Sequence, residues 1–181
     1  MLRTTLRIAV AIAVLAPIVA MADVASDLQK IHDAFLAAKS FHAVEHFSNG
    51  KIVTVDYLVP DRWRIQPAPN VTELVVGNDV YMVRNGKSSR LPFGGAMINK
   101  TLDKFKASWA VDEEVKQSAK DLGMQTVNGK SLHAYGFTSN GVPSTLYVGP
   151  DWLPVQNVVQ NKQGTTTIVY SNYNVPVTIE P

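Results

Sequence analysis

The sequence predicts an α+β fold: a curved antiparallel sheet of about eleven strands, an incomplete β-barrel, with helices covering its concave face. Three observations lead there. Apolar residues recur at helical spacing just after residue 22, and Asn-Gly pairs then punctuate the chain at 49–50, 85–86, 128–129 and 140–141. Between those turns lie short runs rich in β-branched and aromatic residues, interrupted by helical patterning only over 96–120. An antiparallel sheet this long curls, because strand twist accumulates.

Residues 1–22 are expected to be a cleaved signal peptide. Arg3 and Arg7 give a basic start, an apolar run follows, and Ala20-Met21-Ala22 has the small-x-small form of a cleavage site. The run is short for a membrane span and Pro17 interrupts it. The chain has no cysteine, so neither a lipid anchor on cysteine nor a disulfide framework is expected. Residues 23–181 make one domain, and the expected location is the periplasm. Without Arg3 and Arg7 the basic and acidic residues balance, so nothing points to nucleic acid as a partner.

In chain order, Val24, Leu28, Ile31, Phe35 and Ala38 form one face of a helix over 24–38, with Asp23 or Ser26 as its N-cap. Strands are predicted over 41–48, 51–59, 62–66, 72–77, 79–84 and 87–91, with Gly77-Asn78 as a fifth turn. Two helical patterns occupy 96–120, where Met97, Ile98, Leu102 and Phe105 share a face. Asp112, Glu113 and Glu114 read as a solvated first helical turn rather than a catalytic carboxylate pair. Strands at 124–128, 130–138, 144–149, 154–161 and 164–171 complete the meander.

His42-Ala43-Val44-Glu45-His46 matches the H-x-x-E-H pattern of one class of zinc peptidases. On a helix the three groups would share a face; on a strand Glu45 points away from both histidines. A two-residue loop at Asn49-Gly50 would pair Phe47 with Ile52, His46 with Val53 and His42 with Tyr57. One face then carries His42, Val44, His46, Val53, Val55 and Tyr57, is free of formal charge, and is expected to face inward. Phe41, Ala43, Glu45 and Phe47 fall on the other face, with Ile52, Thr54, Asp56 and Leu58. The two histidines would stand about 13 Å apart along the strand, too far to share a metal. A zinc hydrolase is therefore disfavoured, and no metal or cofactor is expected. "NGKSSR" lacks the upstream glycine of a phosphate-binding loop.

The order of segments carries a resemblance. "DVASDLQKI", "KSFHAVEHF", "GKIVTVDYLVPDRWRI", "TELVVGNDVYMVRNGK" and "TTTIVYSNYNVPVTIEP" follow one another as they do in the periplasmic outer-membrane lipoprotein carriers and the wider LolA-like superfamily. The sequence resembles that superfamily over nearly all of residues 23–181. The resemblance implies an unclosed barrel with a helical lid over an apolar cavity, and no catalysis. It implies that Val53, Val55, Tyr57 and Val59 line the cavity, with Trp63 and Ile65 from the next strand. Met97, Ile98, Leu102 and Phe105 would belong to the lid. Val44 shares the expected inward face, where His42 and His46 would supply polar contacts. One position departs from the carriers: Val59 stands where they place an arginine before the proline.

The function expected is a monomeric periplasmic carrier or binding protein for lipoprotein acyl chains or free lipid, with an inner-membrane transporter and an outer-membrane acceptor as partners. The alternative is a non-enzymatic envelope structural or sensor protein on the same fold.

Overall fold

A computed structural model describes residues 19–92 and 110–181. Residues 1–18 of the expected signal segment 1–22 lie outside them, as do Met97, Ile98, Leu102 and Phe105.

Helix α1 spans Val19–Ala37 and buries Leu28, Ile31 and Phe35, the stripe that the periodicity predicts. It begins upstream of both Asp23 and Ser26, so neither is its N-cap. No breaker separates Val19 from Asp23, and the helix continues through. Among the described residues, eleven strands follow. They are β1 (Ser40–Phe47), β2 (Ile52–Leu58), β3 (Arg62–Ala68), β4 (Val71–Val76), β5 (Asp79–Arg84) and β6 (Lys87–Leu91), then β7 (Lys120–Val127), β8 (Lys130–Ser139), β9 (Val142–Val148), β10 (Pro154–Asn161) and β11 (Gly164–Ser171). They form one open, curled antiparallel sheet in the order β6-β5-β4-β3-β2-β1-β11-β10-β9-β8-β7.

A short helix, α2 (Glu113–Ser118), precedes β7. Asp112 is its N-cap and accepts from the Val115 amide at 2.9 Å, with Glu113 and Glu114 in the first turn as the charge pattern predicts. The helical patterning expected as far as residue 120 stops earlier. Ser118 Oγ accepts from the Thr138 amide at 2.9 Å, and pairing with β8 begins at Lys120.

Three of the four Asn-Gly pairs behave as two-residue loops. Arg84 pairs with Lys87, Val127 with Lys130 and Ser139 with Val142, and both central residues have positive φ each time. The first pair does not. The Gly50 amide donates to the Phe47 carbonyl at 3.0 Å, and the Phe47 amide to the Lys51 carbonyl at 2.9 Å. The loop is therefore three residues, Ser48 to Gly50, with Gly50 at φ +82° closing it as a bulge. Asn49 is spent on an Asx contact, its Oδ1 accepting from the Lys51 amide at 3.0 Å.

That extra residue corrects the expected register. His46 pairs with Ile52, Glu45 with Val53, Ala43 with Val55 and Phe41 with Tyr57. A slip of one residue exchanges the two faces of a strand. Phe41, Ala43 and Glu45 thus share the inner face with Val53, Val55 and Tyr57, while His42, Val44 and His46 lie on the outer face. Buried Phe41 and Ala43 against exposed His46 follow from this.

After β11 the chain crosses the outer face. Ser40 Oγ donates to the Val175 carbonyl at 2.7 Å, and Arg62 Nη1 to the Ile179 carbonyl at 3.0 Å. Arg64 Nη2 donates to the Thr178 carbonyl, and Ile179 is 0% exposed.

Candidate functional site: a cavity under the first helix

Two packed clusters occupy the inner side of the sheet. The first joins Phe35 of α1 to Phe41, Ala43, Trp63, Val75, Val80 and Tyr170. Its rings pack closely, with centroids 5.1 Å apart for Phe35 and Phe41, 5.2 Å for Phe41 and Tyr57, and 4.4 Å for Tyr57 and Trp63. The second joins Leu28 and Ile31 of α1 to Val115 of α2 and to Tyr135, Leu146 and Val148. Tyr135 Oη also donates to Asp27 at 3.2 Å, tying α1 to β8.

A cavity of about 420 Å³ borders both clusters. Leu28 and Ile31 form its α1 side, Val115 its α2 side, and Leu146, Val159 and Ile168 its sheet wall. Ser139, Asn140, Ser144 and Asn161 also line it. The alternation of β9, β10 and β11 places these side chains: Ile168 pairs with Asn157 and Asn157 with Leu146, so all three share one face.

The cavity lies further along the sheet than the sequence suggests. Val55, Tyr57, Trp63 and Ile65 are on the inner side but belong to the first cluster, where aromatic rings fill the space. Val53 is buried beside Glu45 in register. Val59, the residue before a cis proline, is 37% exposed beyond the end of β2. His42, Val44 and His46 are on the opposite face, so the polar contacts expected of the histidines are not available to this cavity. His42 instead pairs through Nδ1 with Asp56 at 2.7 Å, and Arg64 meets the same carboxylate at 3.3 Å. Among the described residues, no group of three His, Cys, Asp or Glu side chains is placed to hold a metal.

The polar groups that do line the cavity include Glu45, His32 and Asn157. Glu45 reaches it because of the register described above. Burial raises its carboxyl above the usual 4.5, opposed by the positive charge of Lys51. The same burial, with Glu45 nearby, pushes the Tyr170 hydroxyl far above its ordinary range. Asn157 Oδ1 is buried and, among the described residues, has no hydrogen-bond partner. Sequence reading misses Asn157 because "VQNVVQ" presents valines and amides on both faces of β10.

This architecture has known counterparts. LprF from Mycobacterium bovis aligns over 88% of this chain and 97% of its own, at 19% identity and a TM-score of 0.61. The Mycobacterium tuberculosis lipoprotein LppX aligns over 88% of this chain and 99% of its own, at 14% identity and a TM-score of 0.64. The chain shares the fold of LprF and LppX. The unclosed antiparallel sheet implied by the order of sequence segments is the one observed. No family model and no curated protein sequence matches the chain.

Proposed function

We propose that the protein is an exported carrier or binding protein for acyl chains, presented by lipoproteins or as free lipid. The observation that carries this reading is the cavity of about 420 Å³ walled by Leu28, Ile31, Leu146, Val159 and Ile168. Burying an acyl chain there releases roughly 0.8 kcal/mol per methylene, so a largely apolar wall supplies affinity without catalytic groups. The shared fold with the lipoprotein LppX is consistent with work at the cell envelope. In this reading residues 1–22 direct export to the periplasm and 23–181 form the ligand-binding domain. Delivery from an inner-membrane transporter to an outer-membrane acceptor is the corresponding transport role.

The test is native mass spectrometry of the purified protein, with extraction of bound lipid and titration with a fluorescent fatty-acyl probe. A co-purifying lipid, or saturable probe binding displaced by unlabelled lipid, is the expected result. Absence of both overturns the proposal.

A further inference from the structure

The cavity is not uniformly apolar: besides His32 and the hydroxyls and amides of Ser139, Asn140, Ser144 and Asn161, its sheet wall carries two acceptor groups, on Glu45 and Asn157. In register across the sheet run Val53, Glu45, Ile168, Asn157, Leu146 and Tyr135, each the cross-strand neighbour of the next. Glu45 and Asn157 thus flank Ile168, two strands apart, roughly 10 Å between their backbones. Both line the cavity. A carboxylate accepts hydrogen bonds only, and the buried Oδ1 of Asn157, without a partner among the described residues, is also an acceptor. A buried acceptor left without a donor is costly, and a ligand that supplies the donor recovers that cost on binding.

We infer that this cavity selects acyl lipids whose head group carries hydrogen-bond donors, a hydroxyl or an ammonium, over lipids whose head is a carboxylate or an ester. The inference rests on the acyl-binding reading of the same cavity. Asn157 Oδ1 takes one donor from the head, and Glu45 takes a second or pairs with a cation. A carboxylate head brings like charge to Glu45 in a poorly solvated site and is rejected. An ester head fills the same space but leaves Asn157 without its donor.

The test uses delipidated protein at pH 7.5 and displacement of a fluorescent acyl probe by four ligands of equal chain length. These are 1-monopalmitoylglycerol, hexadecylamine, palmitic acid and methyl palmitate. The hydroxyl or ammonium ligand is expected to bind about tenfold tighter than methyl palmitate and palmitic acid, the scale of one or two recovered hydrogen bonds. Asn157→Leu should remove the advantage of monopalmitoylglycerol over the ester. Glu45→Gln should weaken hexadecylamine and strengthen palmitic acid. Both variants must keep the wild-type far-ultraviolet circular dichroism and cooperative urea unfolding, which separates lost recognition from lost fold. Equal binding of all four ligands by the wild type, or a preference that survives the double variant, overturns the inference and leaves acyl binding standing. No binding of any ligand overturns both.

Discussion

Phe47 is bonded to Lys51, not to Ile52: its amide donates to the Lys51 carbonyl at 2.9 Å across the loop Ser48 to Gly50. This contact sets the register of β1 on β2 and thereby sends Glu45 inward and both strand histidines outward.

The loop depends on Gly50 at φ +82°, a conformation costing an L-residue about 1–2 kcal/mol. A Cβ added there would meet nothing within 4 Å, so the cost is backbone strain alone. Gly50→Ala should lower the unfolding free energy by that amount, read as a lower urea midpoint with the m-value unchanged.

The face assignment predicts opposite outcomes for neighbouring positions. Ala43 is 3% exposed between Val55 and Tyr170 in register, so Ala43→Leu should cost about 1–3 kcal/mol by overpacking. His46 is exposed on the outer face, and His46→Leu should change stability by less than about 0.5 kcal/mol. Paired denaturation curves decide; equal costs would contradict the register.

Ile179 fastens the C-terminal segment to the outer face. Ile179→Ala should destabilise by about 2–5 kcal/mol. Arg64→Ala removes a bond to the Thr178 carbonyl and a contact with Asp56. Hydrogen exchange over 174–181 should accelerate in both variants, with little change in the β8–β9 hairpin.

Glu45 gives stability a defined pH slope. Its folded-state carboxyl titrates above the ordinary 4.5, so the folded protein holds a proton that the unfolded chain has released. Stability from this group is therefore full below that value and declines as pH rises from there through the folded value. Lys51 opposes the shift, and His32 lines the same cavity. Glu45→Gln should gain stability relative to the wild type at pH 7 and show less gain at pH 4, measured by urea unfolding.

Filling the cavity should abolish ligand uptake. Val159 is a wall residue on β10, and Val159→Trp places a large ring in the space. Acyl-probe affinity should fall more than tenfold while the far-ultraviolet circular dichroism is retained.

The strand plan was legible because hairpins are specified locally. Asn-Gly at 85–86, 128–129 and 140–141 declares its own backbone geometry, and the flanking β-branched runs do the rest. The buried stripe of α1, from Val24 to Phe35, follows from spacing alone. Asn49-Gly50 is the same dipeptide with another outcome, since Asn49 turns its side chain onto the Lys51 amide and Gly50 alone adopts positive φ. The cavity was the least legible part. Whether inward residues fill space or leave it depends on how α1 sits over distant strands. Phe35 packs among Phe41 and Tyr170, whereas beside Ile31 the strands β9 and β10 offer smaller Val159 and Ser144. No local pattern encodes that difference.

The strand order has a consequence for how the binding site comes into being. Every neighbouring pair in the sheet is consecutive in the chain except β1 and β11. Each half can assemble from local hairpins, with little chain entropy to overcome, and the two are joined in the sheet by the β1–β11 seam between distant parts of the chain. Glu45 stands on one side of that seam, Ile168 and Tyr170 on the other, and all three line the cavity. Neither half contains the whole pocket. A bound lipid would therefore bridge the two halves and stabilise their union by mass action, making occupancy a clasp as well as a cargo.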